Sequence, residues 1–395
     1  MIFTLASKSL INRKGSVALT ITALAVSLFV LLAVDHIRLQ TKQSFASTLS
    51  GTDLIVGSRT SSINLLLYSV FRIGSPTANL SWDSYQYFNN HPKIAWTIPI
   101  SLGDSHKGFR VMGTTEDFFR HYQYANKKNV AFAQGQKFKG IYDVVLGADV
   151  AKQLHYAIND PIVLAHGIAA TSFSMHDQHP FNTVGILKPT GTPVDQSLYV
   201  SLQGIEAIHN NNATATSITA FMVGLTSRMS TFSVQKHINQ YPTEALTAIL
   251  PGVALSELWQ IMGSIEEILA VISYLVLLAS LLGLSAMLLA SIRERQQEIR
   301  LLRIIGAPPH YIFFIIELEA ILIALIGTGL SLLVLTSVLI AFQSTFAADL
   351  GLRLSTNLFS MNNLAILGLV QIATIMAAAI PAAMAYRSAK YTMHD

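Results

Sequence analysis

Residues 268–292 read ILAVISYLVLLASLLGLSAMLLASI, and residues 293–303, which follow directly, read RERQQEIRLLR. The first stretch carries no charge over 25 residues. About 20 helical residues cross the hydrocarbon of a bilayer, so this run is read as a membrane-spanning helix. The second stretch holds four arginines, Arg293, Arg295, Arg300 and Arg303. Basic residues concentrate on the cytoplasmic side of membrane helices, so this end of the span is predicted to face the cytoplasm. Ser264 and Glu267 stand at capping-box spacing just before the span.

Working outward, three more segments have the length and composition of spans. Ser16 to Val34 is preceded by Lys8, Arg13 and Lys14, which predicts a cytoplasmic N-terminus. Its apolar run is longer than the core of a signal peptide, and no small-residue cleavage site follows, so a retained anchor is expected. Tyr311 to Phe342 forms the third span, and a short exterior loop with Asp349, Arg353 and Asn357 follows it. Asn363 to Tyr386 forms the fourth and exits at Arg387 and Lys390. The bulk numbers agree with a membrane protein that carries a substantial soluble part. Of 395 residues, 51% are hydrophobic and 12% charged, against about 25% charged in an ordinary soluble domain. Mean hydropathy is +0.47.

Between the first two spans, Asp35 to Glu267 is polar and rich in turn signals such as Gly74-Ser75-Pro76, Asn89-Asn90-His91-Pro92 and Lys188-Pro189-Thr190-Gly191-Thr192-Pro193. Short strand-like runs recur at Asp143–Leu146, Pro161–Leu164, Thr183–Leu187 and Ser197–Val200, and Ala148–Tyr156 reads as a short helix. The expected fold class is a membrane protein with four transmembrane α-helices and a large α+β exterior domain between helices 1 and 2. With no cysteine, disulfides and thiolate chemistry are excluded. The net charge of +4 follows the positive-inside pattern and forms no clustered basic face, so no nucleic-acid partner is expected.

Glu298-Ile299-Arg300-Leu301-Leu302-Arg303-Ile304-Ile305-Gly306-Ala307 resembles the E-I-G-x-L-R-A-I-G-A loop of the FtsX-like, MacB-like ABC transporter permeases, a type VII family that includes the lipoprotein-releasing permeases. Pro381-Ala382-Ala383-Met384-Ala385-Tyr386-Arg387-Ser388-Ala389 resembles the closing P-A-x-x-A-x-R-x-A of that family. In the exterior domain, Phe109 to Thr115, Val145 to Ala151, and Val184 to Leu187 with Thr192-Pro193-Val194-Asp195 resemble MacB-like strand and turn fragments. Arg300 stands where the family usually has glycine, and Pro308-Pro309 follow the Gly-Ala pair. The resemblance implies a cytoplasmic N-terminus with helix 1 (1–37), a periplasmic domain (38–262), and helix 2 with a cytoplasmic extension (263–303). A coupling loop (304–310), helix 3 (311–342), a periplasmic loop (343–362), helix 4 (363–386) and a cytoplasmic tail (387–395) complete it. It places the chain in the inner membrane of the cell.

The resemblance also implies which residues meet an ATPase: Glu298, Arg300, Arg303, Ile305, Gly306, Ala307 and Pro308. The bare alternative is a plain arginine-rich loop on the positive side. The chain contains no G-x-x-x-x-G-K-[ST] loop for nucleotide phosphates, so no cofactor is expected in it, and ATP and Mg belong to a partner ATPase. The expected partners are two ATPase copies, a second permease half (a copy of this chain or a paralogue), a periplasmic protein, and lipid. The implied work is mechanotransmission that exports or extracts an amphiphile such as a lipoprotein, peptide or antibiotic. The alternatives are regulation of a periplasmic partner and a zinc-linked ABC system. No nucleophile–base arrangement suggests an enzyme. Glu317 and Glu319 are interface candidates because carboxylates within spans are costly, and pairing with the arginine cluster is the alternative. Ile63, Leu66, Leu67, Val70 and Phe71 make one apolar helical face, read either as a partner or substrate surface or as core. His166, His176 and His179 are metal candidates by type, although their spacing alone assigns no metal centre.

Overall fold

The computed structural model describes residues 2–48, 50–167, 179–210, 215–350 and 355–391. The chain forms two compact units, one of Met1–Gln40, Gly263–Phe342 and Ser355–Asp395, the other of Thr41–Met262 and Gln343–Leu354.

The first unit is helical. Its helices are α1 (Ile2–Asn12), α2 (Lys14–Thr48), α3 (Pro251–Glu294), α4 (Gln296–Ile304), α5 (Pro309–Leu350) and α6 (Met361–Tyr391), of which α2, α3 and α5 run on into the second unit's residues. Four segments are long and apolar enough to cross a membrane: Lys14–Gln43, Pro251–Glu294, Pro309–Phe342 and Met361–Arg387. Within their most apolar windows only 39, 28, 28 and 22% of residues are buried by the chain itself, which leaves wide apolar faces for lipid or another protein to cover.

Small residues and local hydrogen bonds hold these helices together, as expected where lipid removes any hydrophobic drive between them. Ala378, Ala382 and Ala385 on α6 pack with Leu284 and Leu288 of α3 and with Ile312, Ile316 and Ala320 of α5. Gly327 lets α5 approach α2 closely, since a Cβ there would meet Leu24 Cδ2 at 3.3 Å. Pro381 lies inside α6. It has no N–H to give the carbonyl four residues back, at Ala377. Ser285 Oγ on α3 donates to that Ala377 carbonyl at 2.9 Å, so the group left free by the proline is satisfied across the helix pair.

The second unit is built on a mixed sheet of eleven strands. They are β1 (Leu54–Ser58), β2 (Ile94–His106), β3 (Phe109–Thr114), β4 (Phe132–Gly135), β5 (Asp143–Leu146), β6 (Pro161–Ile162), β7 (Ala165–His166), β8 (Phe181–Leu187), β9 (Ser197–Ser201), β10 (Ala220–Leu225) and β11 (Leu246–Ile249). The order is β11-β1-β10-β2-β3-β9-β5-β8-β4, with β7 on β2 and β6 on β8. The pairs β3–β9 and β5–β8 are parallel and the remaining pairs antiparallel. Ala148–Leu154 is the short helix expected after β5.

Two of the sequence fragments have clear physical reasons. At Val145-Leu146-Gly147 both apolar residues are fully buried, and Gly147 passes so close to Asp195 that a Cβ would lie 2.4 Å from its carbonyl oxygen. In the turn before β9, the buried Asp195 carboxylate accepts from the Thr190 N–H at 2.8 Å, the Gly191 N–H at 2.7 Å and the Thr190 hydroxyl at 2.9 Å. Asp195→Ala leaves those donors unanswered inside the protein. It is expected to destabilise the domain by at least about 2 kcal/mol, and Asp195→Asn by less. Thermal unfolding of the purified chain, followed by circular dichroism, checks both.

Candidate functional site

The span α3 and the helix α4 are nearly continuous. The Arg295 N–H reaches the Ser291 carbonyl at 3.2 Å, and the Ile299 N–H reaches the Arg295 carbonyl at 3.0 Å. The last helical bond of α4 runs from the Ile305 N–H to the Leu301 carbonyl at 3.0 Å. Gly306 follows in the left-handed region at φ 96°, the conformation that ends helices and that glycine adopts without a Cβ penalty. Pro309 then opens α5 at the position where its missing N–H costs nothing. The result is a short break between two helices, with Ile304 and Ile305 at 81% and 82% exposure. Two adjacent branched apolar residues at full exposure make a small hydrophobic tip.

Arg295 ties this break to its surroundings. Its guanidinium donates to Glu319 Oε1 on α5 at 2.9 Å, to Ser9 Oγ on α1 at 2.6 Å, and to Glu298 Oε2 on α4 at 2.8 Å. Glu319 is only 2% exposed. One planar cation therefore joins three helices, a geometry suited to arginine's fixed fork of donors. Of the two candidate carboxylates, Glu319 pairs with the arginine cluster. Glu317 does not: it is buried, and neither carboxylate oxygen has a hydrogen-bond partner among the described residues.

Among the proposed contact residues, Glu298, Arg300, Ile305, Gly306 and Pro308 are exposed and Ala307 is partly so. The Arg303 side chain lies outside the described residues. Sequence alone does not single out Arg295, because it gives no means of telling which of four neighbouring arginines turns inward.

The apolar face at Ile63 to Phe71 is not a surface. Ser62–Leu66 is α-helical and Leu67–Phe71 a π-helical turn. Leu66, Val70 and Phe71 are buried in the main core of the second unit, with Leu67 packed against it, and Phe71 stacks on Phe45 at 4.2 Å between ring centroids. Ile63 is partly buried. The helical period reports an apolar face, and here the unit's own core covers it.

Of the histidines, His176 lies outside the described residues, and His179 stacks on the Tyr142 ring at 5.2 Å. His166 instead meets Asp104 and His209, two residues the spacing did not suggest.

Residues 17–241 match the MacB-like periplasmic core domain family, and residues 270–389 match the FtsX-like permease C-terminal family. The chain is similar to the periplasmic region of MacB from Actinobacillus actinomycetemcomitans, with 11% identity and a TM-score of 0.36 over 54% of this chain and 94% of that one. It is also similar to the extracellular domain of the noncanonic ABC-type transporter YknZ from Gram-positive bacteria, with 11% identity and a TM-score of 0.33 over 50% of this chain and 99% of that one. No curated protein matches the sequence.

Removing Arg295 strands the buried Glu319 carboxylate. Arg295→Ala is expected to cost about 3–5 kcal/mol, the usual penalty for breaking one side of a buried pair. Adding Glu319→Gln is expected to recover much of it. Melting of the detergent-solubilised variants, single and double, measures the coupling.

Proposed function

We propose, from the premise that this chain belongs to the FtsX-like, MacB-like family of ABC transporter permeases, that it receives force from a separate ATPase at the Ile304–Pro309 break and passes it into its membrane helices. The observation that carries this reading is the exposed Ile304–Ile305 tip, held between two helices by a glycine stop and a proline start. A hydrophobic tip of this kind suits insertion into a groove of a partner, where a few well-packed residues carry most of the binding energy. Arg300 and Glu298 beside it supply charge for register.

The Arg295 cluster gives the tip a route inward. A push on α4 acts on Arg295, and through it on Glu319 of α5 and Ser9 of α1. The helices then shift as a linked set. The domain between the first two spans is the part that acts on the substrate, an amphiphile such as a lipoprotein, peptide or antibiotic. The wide apolar faces of the helices fit assembly with a second permease half and two ATPase copies in the inner membrane. Both termini face the cytoplasm in this reading, consistent with Lys8, Arg13 and Lys14 before the first span and Arg387 after the last. ATP and Mg are held by the partner.

In detergent, the tagged chain is expected to co-purify with the ABC ATPase co-expressed with it. Ile305→Glu and Gly306→Asp are expected to abolish that recovery while the permease still elutes as a folded species. A wild-type chain that retains no ATPase, or variants that retain it fully, would contradict the proposal.

A further inference from the structure

Strand β2 is irregular where it passes β3. Leu102 pairs with Met112 and Ser105 with Arg110, so Gly103 and Asp104 together stand opposite Val111 alone. This is a β-bulge, a device that re-aims a side chain. Asp104 is turned inward and is 2% exposed. On the other side of β2, β7 pairs so that His166 lies directly across from Asp104. The helix Leu202–Asn210 brings a third residue, His209, in its last turn.

The three side chains converge on one point. His166 Nδ1 and His209 Nε2 each lie 3.3 Å from Asp104 Oδ1, and 3.1 Å from each other. Zinc bonded to nitrogen and oxygen at about 2.0–2.2 Å in a tetrahedron holds its ligand atoms about 3.3–3.6 Å apart. The triangle already matches one face of that tetrahedron to within a few tenths of an ångström. Asp104 Oδ1 is buried, and the two imidazole nitrogens of His166 and His209 are the groups that face it. His209 is oriented for ligation, because its Nδ1 lies 2.8 Å from the Ile205 carbonyl. An N–H donated there leaves the Nε2 lone pair pointing at the triangle, the usual arrangement behind a metal-bound imidazole. Two imidazoles and one carboxylate are a donor set for zinc or a similar first-row divalent ion.

We propose that Asp104, His166 and His209 form a divalent-cation site that takes zinc, with the fourth ligand supplied from solvent on the exposed side of His166. The site joins a bulged strand, its short partner strand and a helix into one cross-linked corner of the domain between the first two spans. It stands on geometry within that domain and does not depend on the ATPase-coupling reading.

The test is isothermal titration of the full chain in detergent with zinc chloride, after chelator treatment. One equivalent is expected to bind and to raise the melting temperature. His166→Gln, at an exposed position that leaves the fold intact, and Asp104→Asn are each expected to weaken binding by more than the 10–100-fold that loss of an outer partner costs. His179→Gln is expected to leave binding unchanged. No zinc bound by the wild-type chain would overturn the proposal. So would affinity retained in both His166→Gln and Asp104→Asn, which would locate the metal elsewhere.

Discussion

Between Leu301 and Tyr311 the chain ends one helix and starts the next within a few residues. Each helix end leaves orphan backbone groups that capping geometry, a proline or a side chain must answer where water does not. The chain meets that need with three residues. Ile305 closes the last helical bond, Gly306 turns left-handed at φ 96°, and Pro309 starts α5 without an N–H to satisfy. So short a break leaves no length in which to bury Ile304 and Ile305, and they stand out from the polypeptide. Elsewhere the same rule acts through side chains, as when Ser285 answers the carbonyl that Pro381 leaves free.

An exposed tip transmits nothing unless it is stiffly joined to what lies behind it. In the proposed function Arg295 is that joint, donating from one rigid fork to acceptors on α1, α4 and α5. The pairing is buried enough that its loss is expected to cost stability, and the proposal uses it as a lever. The small-residue contacts of α6 with α3 and α5 do similar work deeper in the unit, where alanines allow close approach.

Much of this architecture is legible in sequence, and the exceptions are instructive. The spans read clearly because 25 uncharged residues have no other common use. Their helices nevertheless run well beyond the apolar stretches. The helix that holds the second span begins at Pro251, a start signal invisible to hydropathy. Strand β2 alternates at Ile94, Trp96, Ile98, Ile100 and Leu102, but Pro99 within it and the polar or small run Gly103 to His106 mask its full length. The spacing at Ile63 to Phe71 marks a helical apolar face, but periodicity is silent on what covers such a face. Asp104, His166 and His209 lie far apart in sequence and meet only through a bulge and a two-residue strand pairing. The Arg300 departure from the family pattern has no structural explanation beyond its exposure.

The central claim is that the Ile304–Pro309 break touches an ATPase. The chain has no cysteine, so one introduced at Ile305 is its only thiol. Cross-linking from Ile305→Cys in native membranes, with the ATPase present, tests the claim most directly. Met229→Cys serves as the control, at a residue 95% exposed in the other unit. The account predicts a permease–ATPase adduct from Ile305→Cys and none from Met229→Cys. No adduct at Ile305, or an equal one at Met229, would contradict it.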